Sequence, residues 1–136
     1  MSEPVLDSTA TADLLVGPSD LAGSISSDPE DSFPPVFATA RMVALMEIAS
    51  GRLLRPFLGA GELSVGVAMN IVHTAPTPLG ATVTATARYI GRENKLYVFE
   101  VLANDQGGEI GRGTHKRAIV STERLLAGAS RRSNPA

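Results

Sequence analysis

Apolar and polar positions divide the chain into one helical block and a series of strand-like blocks. From Val36 to Leu58 apolar residues recur at the three- and four-residue spacing of an amphipathic helix. Ser32 offers an N-cap oxygen, Pro34 or Pro35 suits a first turn, and Gly59 to Gly61 ends the segment. The length predicts a helix of about five or six turns. At about 100° per residue, Arg41, Arg52 and Arg55 fall on one narrow face, and Glu47 lies about 120° from it. That places the carboxylate of MVALMEIASG on an arc with Ala40, Val43, Ser50 and Leu54, away from the wettest side.

Beyond Gly61 the period falls to two. Leu63, Val65, Val67, Met69, Ile71 and His73 alternate with Ser64, Gly66, Ala68, Asn70, Val72 and Thr74. Both sets are largely apolar or small, which predicts a central strand with its small-residue face under the helix. TAPTPLG is a turn. Ala81 to Ile90 then alternates Val83, Ala85, Ala87 and Tyr89 with Thr82, Thr84, Thr86 and Arg88. GREN and NDQGG read as hairpin turns around a strand from Leu96 to Ala103, and Glu109 to Thr122 reads as the last strand. Thr9 to Val16 can add a strand in front. Four to five antiparallel strands around one long helix make an α+β domain. A helix apolar over so much of its circumference needs more cover than one small sheet gives, which predicts a partner copy.

The flanks change the picture little. Met1 to Ser8 is polar and reads as frayed. Gly17 to Pro35 is dense in Gly, Ser, Asp and Pro and longer than a plain connection, which marks it as a lid or binding loop. The domain is expected to span residues 1–124, with residues 125–136 a short helix and frayed tail. A chain of 136 residues favours one domain, and a net charge of -2 argues against nucleic acid as a partner. The absence of cysteine removes disulfides, thiolate zinc sites and a cysteine nucleophile, and fits a reducing cytoplasm. The N-terminus has no basic n-region, and Glu47, Gly51, Asn70 and His73 break the apolar runs short of a membrane span. A soluble, cytoplasmic protein is expected.

Three side chains of reactive type stand in unexpected places. An ionised carboxylate on an apolar arc costs several kcal/mol unless paired, and burial would tune Glu47 for base or nucleophile work. His73 closes the expected central strand just before Thr-Ala-Pro, where its ring can reach a cleft. Thr39 lies two turns before Glu47 and can hydrogen-bond a carboxylate or an acyl oxygen. Each has an ordinary explanation: a gap to solvent for Glu47, a structural role for His73, a local cap for Thr39. Taken together they form an acyl-transfer set. No nucleophile elbow, phosphate loop or metal-ligand spacing occurs, and the glycines of GEIGRG sit in a strand-turn context.

The series FPPVFATARMVALMEIAS, SVGVAMNIVHTAPTPLGATVTATA and NDQGGEIGRGTHKRAIV, in that order from Phe33 to about Glu123, resembles the fluoroacetyl-CoA thioesterase family of the hotdog superfamily. The resemblance implies a hotdog fold, a long helix wrapped by an antiparallel sheet and paired as a homodimer, with further pairing to a tetramer left open. It places the catalytic residues on Thr39 of FAT, Glu47 of LMEIA and His73 of VHTAP. Gly66 of SVGVAMN falls against the thioester, Arg117 of THKRA near the acyl pocket, and Phe33 in the pocket wall. Where the fluoroacetyl-specific member carries a further Phe three residues earlier, this chain has Glu30 in a polar SDPEDSFPP segment, which argues for another acyl group.

The expected activity is hydrolysis of a small acyl-CoA, with Glu47 as nucleophile or general base, Thr39 orienting Glu47 or the acyl oxygen, and His73 transferring protons. No cofactor is expected beyond the CoA carried by the substrate. The phosphates of CoA need cations, for which Arg88, Arg92, Arg112, Lys116 and Arg124 are candidates. The competing readings are a non-catalytic acyl-CoA-binding module and an enoyl-CoA hydratase-like enzyme. The latter uses an Asp/His pair that this helix lacks.

Overall fold

In the computed structural model, which describes residues 3–134, a single helix lies across a five-stranded antiparallel sheet. The elements are β1 (Thr9–Leu15), α1 (Thr39–Leu54), β2 (Glu62–His73), β3 (Thr82–Glu93), β4 (Leu96–Asp105), β5 (Gly108–Ser121) and α2 (Thr122–Ser133). The sheet order is β1-β3-β4-β5-β2. The expected fifth strand is present as β1, paired along its whole length with β3.

The alternation in β3 and β4 builds the core. Val83, Ala85, Ala87 and Tyr89, with Tyr97, Phe99, Val101 and Ala103, are buried under Met42, Leu45, Met46, Ala49, Leu53 and Leu54 of α1. Three alanines on the sheet side let the helix lie close, and each large side chain removed from water contributes about 1.5–3 kcal/mol. Arg41, Arg52 and Arg55 are exposed, as the helical periodicity expects.

The helix is shorter than expected. It begins at Thr39, not Val36, and its N-cap is Ala38, which has no side-chain cap bond; Ser32 plays no capping part. Residues 37 and 38 are held extended by bonds outside the helix: Phe37 N–H donates to the Thr77 carbonyl at 2.8 Å and Ala38 N–H to the Asp20 carbonyl at 2.9 Å. At the far end Arg55–Phe57 tightens into a 3-10 turn around Pro56, which has no N–H to continue an α-helix. The loop from 17 to 35 is partly ordered by two 3-10 turns, Pro18–Asp20 and Ala22–Ser24. Residues 3–8 are pinned rather than frayed: Asp7 N–H donates to the Tyr89 carbonyl and Tyr89 N–H to the Ser8 carbonyl. Met1 and Ser2, like the last two residues of the expected frayed tail, lie outside the described residues.

The strand expected at the centre is at the edge. Among the described residues β2 pairs only with β5, and Leu63, Val67 and Val72 are about half exposed, at 51%, 54% and 54%. Its apolar character on both faces therefore does not reflect burial between two neighbours of its own sheet. The alternation is also broken. Gly66 pairs with Arg117 and Ala68 with Lys116, so Val67 is an extra residue in a β-bulge. Cross-strand partners share a face. Ser64 and Gly66 lie on the face of Ile119 and Arg117, and beyond the bulge Met69, Ile71 and His73 lie on the face of His115, Gly113 and Gly111. Leu63 and Val65 thus point opposite to Met69, Ile71 and His73, contrary to a regular alternation. Among the described residues no helix is long and apolar enough to cross a membrane.

Candidate active site

The residues of reactive type fall into two groups on the helix-facing side of β2. The first stands at the start of α1. Thr39 Oγ1 and His73 Nδ1 are hydrogen-bonded at 2.8 Å, and His73 Nε2 is buried with no partner among the described residues. A buried unpaired nitrogen costs about 1–3 kcal/mol, so this atom is poised for a group that can bond to it. The loop after His73 is fixed from three sides. Thr74 N–H donates to the Ile110 carbonyl, Thr77 Oγ1 donates to Asp105 at 2.7 Å, and the Thr77 carbonyl accepts from Phe37. Thr39 and His73 border a cleft of about 380 Å3 whose other walls include Pro34, Val36, Phe37 and Ala75. Thr39 is the first residue of α1, so the positive end of the helix dipole lies beside this cleft.

The second group lies mid-helix. Glu47 is half-buried rather than sealed, with its side chain 41% exposed. Arg117 Nη1 donates to Glu47 Oε2 at 3.0 Å and to His115 Nε2 at 3.1 Å. Arg117 Nε donates to Ser64 Oγ and Nη2 to the Ser64 carbonyl, each at 3.0 Å. Arg117 itself is 8% exposed, and burying a guanidinium is tolerable only because four acceptors meet its fork. Gly66 allows the carboxylate to lie directly against the β2 backbone, because a Cβ there would occupy the place of Glu47 Oε2. Glu47 and His115 border a second, smaller cleft of about 180 Å3 along Gly66 to Met69. Burial, and then the charge of Arg117, pushes the His115 imidazole below its ordinary value, against the opposing effects of the Ala68 carbonyl bond and Glu47.

The expected trio is therefore brought together only in part. Thr39 pairs with His73 and not with Glu47, and the eight-position step from Thr39 to Glu47 separates them by about 12 Å along the helix. Gly66 and Arg117 both lie at Glu47. Phe33 is 53% exposed beside Pro34 of the first cleft, and Glu30 sits in an exposed turn with its N–H bonded to Asp28. Of the candidate phosphate-binding cations, Arg88 is paired with Asp7 and Glu100, Arg112 with Glu109 and Lys116 with Glu93, while Arg92 stacks on Tyr97 and Arg124 opens α2. His115 and Ser64 escape a reading based on residue type alone. The two-residue period of β5 through Gly111, Gly113, His115 and Arg117 is the signal that places His115 on the same face as Arg117. Among the described residues no group of three His, Asp or Glu side chains is placed to hold a metal ion.

Residues 16–123 match the model of the fluoroacetyl-CoA-specific thioesterase family. The fluoroacetyl-CoA thioesterase of Streptantibioticus cattleyicolor is 47% identical over 95 residues, covering 70% of this chain and 68% of that protein. A solved structure of the fluoroacetyl-CoA thioesterase superposes with a TM-score of 0.89 at 40% identity, covering 93% of this chain and 96% of that one. A hot-dog-like protein from Thermanaerovibrio acidaminovorans gives a TM-score of 0.79 at 27% identity over 93% of this chain and 91% of its own.

Proposed function

The chain belongs to the fluoroacetyl-CoA-specific thioesterase family and has the hotdog fold, and from that premise we propose that it hydrolyses a small acyl-CoA to the free acid and CoA. The observation that carries the proposal is Glu47: a carboxylate that borders a cleft and is held through Oε2 by Arg117 against the open backbone of Gly66, with Oε1 outside that ion pair. That oxygen attacks the thioester carbonyl or takes the proton of an attacking water. N–H groups along β2 near Gly66 supply the oxyanion donors, which are typically worth about 3 kcal/mol. His73, oriented by Thr39 through Nδ1, moves a proton through its unpartnered Nε2 to the departing thiolate or from the hydrolytic water.

The two groups are completed by a second copy. β2 is a twelve-residue edge strand with exposed Leu63, Val67 and Val72, and such an edge is stable when it pairs with another strand. Antiparallel pairing of two β2 edges gives the cover that α1 lacks and brings the His73 end of one copy toward the Glu47 region of the other. The acyl group is another small acid rather than fluoroacetate, because the turn carrying Glu30 is polar and the cleft wall of Pro34, Val36 and Phe37 is built without a second lid aromatic.

The test is release of CoA thiol from acetyl-, fluoroacetyl-, aryl- and branched-chain acyl-CoA. Turnover of at least one of these, lost in Glu47→Gln and in His73→Ala, supports the proposal. Binding without thiol release would instead make the chain an acyl-CoA-binding module.

A further inference from the structure

We propose that His115 is a positioning residue of this site: a neutral imidazole that fixes the Arg117 guanidinium, and through it the carboxylate of Glu47. The proposal rests on the thioesterase reading for its catalytic consequence, but its geometric content stands apart from it. His115 is 2% exposed on the helix-facing side of β5. Its Nδ1 lies 2.8 Å from the Ala68 carbonyl, and a carbonyl can only accept, so Nδ1 carries the proton. The lone pair is then on Nε2, which meets Arg117 Nη1 at 3.1 Å, and a guanidinium can only donate. Both ends of the ring thus specify one tautomer and one charge state.

The consequence lies in the shared nitrogen. Arg117 Nη1 carries two N–H bonds; one is taken by His115 and the other by Glu47 Oε2. With Ser64 holding Nε and Nη2, His115 supplies the remaining acceptor that sets the rotation of the fork and so the point at which Glu47 is held. A proton on Nε2 would set donor against donor and two cations 3.1 Å apart, and Arg117 would have to leave its place. The charged groups facing the ring are Arg117, on its own strand, and Glu47, on α1; Phe99 packs beside it from β4 and carries no charge. Ala68, whose carbonyl fixes the tautomer, is the first residue after the bulge, so the same irregularity that shapes the cleft also supplies the acceptor for His115.

Two measurements test this. The chain has only two histidines, so imidazole nitrogen NMR resolves His115 by comparison with a His115→Phe variant. The expected result is the Nδ1–H tautomer, with a midpoint below the ordinary 6.5 that rises in Arg117→Gln. An Nε2–H tautomer, or a midpoint at or above 6.5, overturns the proposal whatever the enzyme acts on. In thiol release, His115→Phe is expected to lower kcat by about tenfold, the scale of one lost hydrogen bond, with KM changed less than about twofold. His115→Gln, which returns an acceptor toward Arg117, is expected to recover most of that loss. A His115→Phe enzyme that keeps kcat, or a Gln variant as impaired as Phe with an unchanged melting temperature, would show that the ring merely fills space. Failure of the wild-type protein to release thiol from any acyl-CoA would remove the thioesterase reading and leave the NMR result to decide the tautomer and charge.

Discussion

Thr39 and His73 stand thirty-four positions apart in sequence and 2.8 Å apart in space, linking the first residue of the helix to the last residue of the edge strand. The bond leaves the threonine hydroxyl engaged with His73 Nδ1 and the opposite ring nitrogen without a partner among the described residues. Thr39→Ala should therefore loosen the ring and lower kcat by about tenfold, while Thr39→Ser keeps the hydroxyl and most of the rate. His73→Ala should cost more, about 10²–10⁴ in kcat, the range of a lost acid–base group. Steady-state thiol release checks the order; equal effects of Ala and Ser at position 39 would separate the hydroxyl from catalysis.

Gly66→Ala is expected to act on chemistry more than on folding. The new methyl would fall on Glu47 Oε2 and close to the His115 ring edge, and the carboxylate is the flexible end that can move aside. A melting temperature within a few degrees of wild type with kcat lowered about a hundredfold is the expected pair of results, since displacement of a reacting group by about 1 Å costs that much. A large loss of stability with activity preserved in the folded fraction would show that Glu47 does not need its place against β2.

The depressed imidazole of His115 makes a stability prediction with a definite sign. The unfolded chain binds a proton at His115 near pH 6.5 and the folded chain only below that, so unfolding takes up protons and stability rises with pH in this window. The contribution is intact above about 6.5 and is lost as pH falls below it toward the lower folded value. Thermal melts of wild type between pH 7.5 and 5 should fall more steeply than those of His115→Gln. Parallel curves would assign the acid sensitivity to other groups.

Pairing along β2 gives the proposed dimer a test that does not depend on knowing the acyl group. Glu47→Gln and His73→Ala homodimers, each inactive, are unfolded together and refolded as a mixture. Where the site draws Glu47 from one copy and His73 from the other, each mixed dimer regains one intact site and about half the wild-type rate. Where both come from one copy, nothing returns. A charge at the exposed edge, Val72→Lys, should shift the assembly toward monomer in light scattering.

Much of this arrangement is written in local pattern. The alternation of Val83 to Tyr89 specifies a half-buried strand without reference to the rest of the chain, and the arginine stripe of α1 specifies its wet face. Residue type and family resemblance likewise single out Thr39, Glu47 and His73 in the sequence. What sequence concealed depends on contacts remote along the chain. The start of α1 is set by Thr77 and Asp20, which hold residues 37 and 38 extended, and neither is visible from the helix itself. The edge position of β2 is masked because an apolar residue exposed at a sheet edge and one buried in a core read alike in sequence. His115 is unremarkable in GTHKRA until β5 is known to carry it beside Arg117 over Ala68.

The extra residue at Val67 has a further meaning. Gly66 and His73 are seven positions apart, an odd interval, and in an unbroken strand an odd interval puts two side chains on opposite sides of the sheet. The bulge restores parity, so that the seat of Glu47 and the partner of Thr39 look the same way. The candidate site is in this sense a matter of phase as much as of residue identity. A strand that kept residue 67 but paired it in an unbroken ladder would keep every reactive side chain named here and yet turn His73 away from Gly66, whereas loss of residue 67 would shorten the interval to six and make the bulge unnecessary.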